Sequence, residues 1–157
     1  MKKYLKLVAA VMALIGVVMM FFTQAVVKWT AWDPENIGLK ALIGSGEFEH
    51  AGEINTVASG FAGYILLGSA ALILLVVALV PYFKEHDILS AVVTGIAVIA
   101  LIVGTVLIFL IRKNFADANG MDSGIVYVGW AAIVAGSLGS LSAATGALAV
   151  VLDLANN

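Results

Sequence analysis

The fold follows from one segment, which reads VASGFAGYILLGSAALILLVVALV over residues 57–80 and contains no charged side chain. About 20 apolar residues in a helix cross the roughly 30 Å hydrocarbon core of a bilayer. In hydrocarbon every backbone N–H and C=O must be paired within the chain, so a spanning segment is a helix or a strand of a closed barrel. Barrel strands alternate apolar and polar residues, whereas Ala70–Val77 is continuously apolar. The segment therefore predicts a transmembrane helix.

Three further apolar runs accompany this one along the 157 residues. Hydrophobic residues make up 62% of the chain and charged residues 11%, and the mean hydropathy is +1.09. A soluble domain carries about a quarter of its residues as charged ones. We therefore predict an all-α integral membrane protein, with residues 1–157 forming one four-transmembrane-helix bundle (a tetraspan). The predicted spans are about 7–27, 57–80, 88–111 and 125–152.

Residues that favour helix ends flank these spans. Pro81 ends the second, because proline has no backbone N–H. Asp87 is the predicted N-cap of the third, since its carboxylate can accept a bond from a free first-turn N–H. Arg112 and Lys113 close the third span, Asp122 or Ser123 caps the fourth, and Asp153 stops it.

The first run also allows a second interpretation, a cleaved signal peptide. It follows three lysines, and Thr23 and Ala25 are small residues placed as a cleavage site requires. The apolar run at 7–27 is longer than the usual signal core of about 7–15 residues. We expect it to be retained as a transmembrane helix.

The orientation is predicted as N-in and C-in. Basic residues divide evenly between the two sides, but three lysines precede the first helix, which usually dominates the choice. Residues 28–56 then form a larger first extracytoplasmic loop. Amphipathic aromatic rings prefer the membrane interface, and the predicted outer interfacial anchors are Trp29, Trp32, Tyr127 and Trp130.

Small residues recur along the third and fourth spans. Lipid tails are as apolar as leucine, so helices associate in a bilayer largely by close packing of small residues. We expect the fourth helix to lie at the centre of the contacts, packed within the chain or against a partner helix. The predicted packing residues are Ala132, Gly136, Ser140 and Ala144 in one row, Gly139, Ala143 and Ala147 in a second, and Gly95 and Gly104 on the third span.

The first outer loop contains the remaining candidate features. Asp33 and Pro34 are typical of an N-cap and a first helical residue, so a short helix is expected to run to Ile43. Three carboxylates and a histidine follow, and they could hold a divalent cation, with His50 and Glu53 sharing a helix face. These candidates are Glu47, Glu49, His50 and Glu53. The simpler interpretation, a solvated acidic loop without metal, is preferred. Residues 117–122 are predicted to form a turn rather than a calcium loop, which needs a closing glutamate.

Chemical motifs are what the sequence lacks. None of the four predicted spans contains Asp, Glu, Lys, Arg or His, and such residues usually mark proton relays or substrate paths in membranes. With no cysteine, thiolate chemistry is excluded. We expect no catalytic residue and no cofactor, and the net charge of −2 gives no reason to expect nucleic acid as a partner.

The layout resembles the tetraspan class that includes the claudins. The residues that carry the resemblance are Lys28-Trp29-Thr30-Ala31-Trp32, directly after the first predicted span. The resemblance implies N-in and C-in topology and a larger first outer loop. The claudin signature includes two cysteines that this chain does not have, so a barrier or junction function is not implied. The lysine-led start fits a bacterial membrane protein.

Three functions remain as hypotheses. The first is a non-enzymatic tetraspan of the cell membrane, a structural or accessory subunit whose partners are membrane lipids and other membrane protein subunits or itself. The second is a small channel or facilitator for an uncharged or apolar solute. The third is an outer-face metal-dependent enzyme that uses the acidic first loop.

Overall fold

Four long helices make up most of the computed structural model, which describes residues 1–22, 27–29, 35–38, 42, 46–48, 52–55, 57–120 and 126–155. They are α1 (Lys2–Val18), α2 (Ala58–Leu79), α3 (Asp87–Phe109) and α4 (Trp130–Ala155). A 3-10 turn, Met19–Phe21, extends α1. All four, α1 taken with its turn, are long and apolar enough to span a membrane. The prediction of an almost entirely helical protein with four such helices is confirmed.

The four helices form a ring in which each packs against two neighbours. Helix α1 contacts α2 and α4, and α3 contacts the same two helices from the other side. Helices α1 and α4 run antiparallel, because Ala9 meets Ser142 and Gly16 meets Ala135. Helices α3 and α4 are also antiparallel, since Gly136 lies against Phe109 and Gly146 against Val98. Helix α4 therefore has two neighbours, as the other three helices do.

Large apolar side chains cover the outside of the ring. Leu72 on α2 is 62% exposed and Ile99 on α3 is 63% exposed, although water would penalise such surface. The inward faces hold mostly small residues, such as Ala13, Ala70 and Ala135. An apolar outer surface around a small-residue interior suits a bundle whose solvent is lipid.

One end of the bundle carries both ends of the described chain, and we call it the terminal end. Here α1 begins, α4 ends, and the short helix Tyr82–Glu85 joins α2 to α3. Pro81, two residues after the last residue of α2, is the N-cap of this short helix.

The opposite end, which we call the sheet end, carries short strands. β1 (Val27–Trp29), β2 (Glu35–Ile37) and β5 (Val126–Val128) form an antiparallel sheet in the order β2-β1-β5. β3 (Gly46–Phe48) and β4 (Gly52–Ile54) form a separate antiparallel pair. In the larger sheet Val27 is paired with Ile37 on one side and with Val128 on the other. The helix Ile111–Asn119 continues the course of α3 at this end and stops at Gly120, whose φ of 60° is the left-handed conformation that glycine adopts readily.

The strands correct two predictions. Residues Glu35–Ile37 lie in β2, not in the short helix expected up to Ile43, of which Leu42 is helical and buried. Isolated short helices are marginal, whereas β1 offers these residues backbone partners. Helix α4 begins at Trp130 rather than at residue 125, because Val126–Val128 pairs with β1.

The helix ends correct three more. Asp87 is the first residue of α3 and not its N-cap, and its carboxylate accepts a bond from Lys2 instead. Arg112 and Lys113 do not close α3, since they belong to the helix Ile111–Asn119. Asp153 does not stop α4, which continues to Ala155.

Candidate functional site

A buried polar cluster lies at the terminal end and joins three helices. Lys6 of α1 donates from Nζ to Asp153 Oδ2 of α4 at 2.7 Å and to Ser90 Oγ of α3 at 2.6 Å. Ser90 Oγ in turn donates to the same Asp153 oxygen at 2.9 Å. The side chains of Lys6 and Asp153 are only 5% and 1% exposed. This cluster corrects the expectation of four uncharged helices.

Each charge in this cluster lies at the unfavourable end of its own helix. Lys6 is near the N-terminus of α1 and Asp153 near the C-terminus of α4, whereas helix dipoles favour acids at N-termini and bases at C-termini. Because α4 runs antiparallel to α3, Asp153 lies against the first turn of α3, beside Ser90. The dipole of α3 favours an acid at this N-terminal end. The pair is thus stabilised by its neighbours rather than by its own helices.

A second ion pair lies beside the first and is more open. Lys2 donates from Nζ to Asp87 Oδ1 at 2.9 Å, and both side chains are partly exposed. Lys2 Nζ is also 3.9 Å from Asp153 Oδ1, which is within ion-pair range but too long for a hydrogen bond. Among the described residues, none donates a hydrogen bond to Asp153 Oδ1. One buried carboxylate oxygen therefore retains its capacity to accept a hydrogen bond.

A cavity of about 640 Å³ opens beside these groups, and we call it the terminal cavity. Its volume is in the range of small-molecule sites, roughly 300–1,000 Å³. Four lysines and two aspartates contribute to its wall, so these side chains give it a net positive charge. The lining includes Lys2, Lys3, Lys6, Lys84, Asp87 and Asp153, with Val77, Ala78, Phe83 and Leu152 as apolar members. This arrangement can bind an anion.

Sequence reasoning missed this site because the predicted spans began at residue 7 and ended at residue 152, just short of both charges. A signal was present, since Lys2 and Lys6 are four residues apart and so share one helix face. Asp153, directly after an apolar run, was interpreted only as a helix stop. The pairing itself joins residues 147 apart in the chain, and no local pattern encodes it.

The small residues of α4 divide between the interior and the outer surface. Ala132, Gly136, Gly139 and Ala143 are buried, and Ser140, Ala144 and Ala147 are exposed. A Cβ at Gly136 would lie 2.6 Å from the ring of Phe109 on α3, so glycine is what lets this ring pack there. The row Ala132, Gly136, Ser140 and Ala144 therefore starts with two buried residues and ends with two exposed ones.

A groove lies between α3 and α4, with the exposed Ser140 in its wall, and we call it the α3/α4 groove. Its volume is about 380 Å³, and its lining comprises Ile102, Thr105, Val106, Phe109, Ser140 and Ala143. Thr105 is 7% exposed, and its hydroxyl has no hydrogen-bond partner within the described part of the chain. Ser140 donates to the carbonyl of Gly136 in its own helix at 3.0 Å. The groove is therefore apolar, with one unpartnered hydroxyl in its wall.

The two glycines predicted as packing residues on α3 have different surroundings. A Cβ at Gly104 would lie 2.8 Å from the carbonyl oxygen of Gly63 on α2, so the two backbones touch there. A Cβ at Gly95 would meet no atom within 4 Å. Gly104 thus lies in close contact with the backbone of α2, whereas Gly95 has open space beside it.

The acidic metal candidates of the first loop are only partly described. Glu47 and Glu53 are directly opposite each other in the β3–β4 pair, so Glu53 is on a strand and not on a helix face shared with His50. Glu49 and His50 lie outside the described residues. Within the part of the chain that the structure describes, no group of three or more metal-ligating side chains occurs.

Three of the four predicted interfacial aromatic residues lie at the sheet end. Trp130 is partly exposed and meets the ring of Phe22 edge to face at 5.4 Å. Tyr127 is exposed, with the guanidinium of Arg112 5.8 Å from its ring centre. The backbone of Trp29 lies in β1, and Trp32 is outside the described residues. Aromatic rings at one end of an apolar bundle are typical of a membrane interface.

No protein family matches this chain, and no curated protein and no solved structure matches it either.

Proposed function

We propose that this protein is a non-enzymatic tetraspan that acts as a structural or accessory subunit by docking a transmembrane helix in the α3/α4 groove. The observation that carries the proposal is the exposure of Ser140, Ala144 and Ala147 beside that groove. In lipid, small residues on a helix surface let a second backbone approach closely. Of the small-residue rows on α4, only Ala132, Gly136, Gly139 and Ala143 are buried within the bundle.

A helix is the occupant that fits the groove best. Its wall is uncharged, and on the α4 side it consists of the small residues Ser140 and Ala143, so a second helix can approach α4 closely there. The hydroxyl of Thr105 is buried against Gly139 inside the contact between α3 and α4, so an occupant of the groove would be held by packing. An acyl chain could fill the same volume, but small residues exposed beside the groove favour the close approach of a second helix backbone.

Photo-crosslinking in native membranes tests the proposal. We would place p-benzoyl-phenylalanine at position 144 and, as a matched control, at position 72, which is lipid-exposed on α2. We expect a discrete protein adduct from position 144 and none from position 72. An adduct of twice the monomer mass identifies a second copy, and another discrete mass identifies a different subunit. Adducts with lipid alone at position 144 would refute docking.

A second variant separates docking from accidental proximity. We expect the wild type and its partner to run together as a higher-mass species on native gels. Ala144→Leu adds bulk to the exposed face without touching the ring interior, so the bundle should fold and this species should disappear. Leu72→Ala, on the other side of the ring, should leave that species unchanged. Persistence of the complex in Ala144→Leu would contradict the proposed surface.

The orientation that we propose places the terminal end in the cytoplasm and the sheet end outside the cell membrane. Support comes from the three lysines Lys2, Lys3 and Lys6 at the start of α1, since positive residues near the first span favour the cytoplasm. Because the chain has no cysteine, single cysteines report position cleanly. An impermeant maleimide should label Asp117→Cys in intact cells, and Glu85→Cys only after permeabilisation. The reverse pattern would overturn the orientation.

No specific observation favours the other two functions. The middle of the ring is filled by side chains such as Tyr64, Leu67 and Leu101, all fully buried, which gives no support to a solute path within one copy. Outer-face metal chemistry needs residues that converge on one point, and Glu47 and Glu53 are the only two of its four candidates within the described chain. Both functions remain hypotheses from the sequence.

A further inference from the structure

We propose that the terminal cavity binds the phosphate and hydroxyls of an anionic glycerol-based headgroup. The inference goes beyond the accessory role and is independent of it, since the cavity lies at the terminal end and shares no lining residue with the α3/α4 groove.

The charge around the cavity selects an anion. Lys6 and Lys2 are each hydrogen-bonded to an aspartate, Asp153 and Asp87 respectively. Lys3 and Lys84 also line the cavity, and both are exposed. Among the lining side chains the two aspartates leave a net charge of +2 at neutral pH. Basic pockets between spanning helices are suited to lipid phosphates.

Oδ1 of Asp153 favours a ligand that also carries a hydrogen-bond donor. Oδ1 is buried and accepts no hydrogen bond from the described residues, and a buried acceptor left without a donor is costly. A hydrogen phosphate dianion has a single O–H donor, and its two negative charges are repelled by this carboxylate. A glycerol headgroup carries hydroxyls beside its phosphate, so one ligand can satisfy the lysines and the carboxylate together.

The apolar part of the wall indicates where such a headgroup would come from. Val77, Ala78 and Leu152 line the cavity where the apolar helix surfaces begin. Lysines at the end of a spanning helix and apolar side chains just beyond them match the layer in which phospholipid headgroups lie. The shared chemistry is a phosphoglycerol, and its source is either phosphatidylglycerol or a free glycerol phosphate.

Native mass spectrometry of the full-length protein tests the proposal with defined lipids. We expect retention of phosphatidylglycerol and loss of phosphatidylcholine, whose headgroup is neutral overall. Phosphatidylmethanol has the same charge as phosphatidylglycerol but no hydroxyl, so it should bind more weakly. Equal retention of phosphatidylglycerol and phosphatidylcholine would overturn the site, and equal binding of the two anionic lipids would overturn the role of Asp153.

Free glycerol 3-phosphate distinguishes the two sources. If it displaces phosphatidylglycerol at millimolar concentration and alone raises the melting temperature, the ligand is a soluble phosphate ester. If it does neither while the lipid is retained, the ligand is the lipid. Either result supports a phosphoglycerol site, and inorganic phosphate that binds as tightly as glycerol 3-phosphate would contradict it.

Substitutions locate the site without breaking the buried pair. Lys3→Gln with Lys84→Gln should weaken binding of phosphatidylglycerol about 25-fold, at about fivefold for each lysine beside an anionic headgroup. Neither lysine forms part of the Lys6–Asp153 cluster, so the fold should be retained. Lys113→Gln, exposed on the helix Ile111–Asn119 at the sheet end, is the matched control and should bind as the wild type does. An equal loss in this control would show non-specific attraction and refute the site.

Discussion

Lys6 Nζ and Asp153 Oδ2 are 2.7 Å apart inside the bundle, although 147 residues separate them in the chain. Their contact joins the first spanning helix to the last and closes the ring of helices at the terminal end. Ser90 bonds both groups, so the third helix is fixed to the same point.

Breaking this pair on one side should be strongly destabilising. Lys6→Met leaves the Asp153 carboxylate buried without its cation, and removing one partner of a buried ion pair costs about 3–5 kcal/mol. Unfolding in mixed micelles, followed by circular dichroism, measures the loss. The double variant Lys6→Met with Asp153→Leu should recover most of the stability, since no buried charge remains. If the single and double variants are equally unstable, packing and not charge explains the effect.

The contact between α2 and α3 should tolerate no side chain at Gly104. A Cβ there would lie 2.8 Å from the Gly63 carbonyl oxygen, so the two helices must separate, and we expect Gly104→Ala to cost about 1–3 kcal/mol. Gly95→Ala on the same helix adds a methyl group in open space and should be neutral or stabilising by up to about 1 kcal/mol. Thermal unfolding in detergent compares them. A destabilised Gly95→Ala variant would contradict the packing.

The hydroxyl of Ser142 should contribute to the contact between α1 and α4. It donates to the carbonyl oxygen of Ala9 at 2.7 Å across the helix interface, and such bonds in membranes contribute about 0.6 kcal/mol on average. Ser142→Ala should lower the free energy of unfolding by about that amount. The control is Thr145→Ala, since Thr145 bonds only the carbonyl of Leu141 in its own helix. An equal loss in both variants would assign the effect to the helix alone.

The sheet register can be tested by engineered cysteines, because the chain has none of its own. Val27 and Val128 are direct partners in β1 and β5, and directly opposite Cα atoms are about 4.5–5.5 Å apart, which suits a disulfide. The Val27→Cys, Val128→Cys double variant should therefore form a disulfide readily, which is measured as a loss of maleimide reactivity. Val27→Cys with Val126→Cys is displaced by two residues, so it should oxidise slowly. Preferential oxidation of the displaced pair would show a different register.

The four long helices were predictable because long uncharged apolar runs specify them. In a bilayer a long uncharged run must form a helix, so α2 was placed to within one residue at each end, at Ala58 and Leu79. Gly104 and Gly136 were likewise predictable as packing positions, because helix interfaces in membranes are enriched in small residues, but the same pattern also marked Gly95, which has no close neighbour among the described residues.

The candidate site was less accessible to prediction, because each of its parts depends on a distant partner. Taken separately, Lys6 indicated only the orientation of the first helix, and Asp153 indicated only the end of the fourth. Val126–Val128 read as the start of a helix, and it is a strand because β1 lies beside it.

What the amino-acid sequence determines here is the number and character of the helices, since a long run of apolar side chains can pair its own backbone N–H and C=O groups in hydrocarbon only by forming a helix. The three-dimensional arrangement decides which helices are neighbours, which small residues of α4 remain exposed, and where the two buried charges meet. Those outcomes are sums of many contacts between segments far apart in the chain, and no single segment contains them.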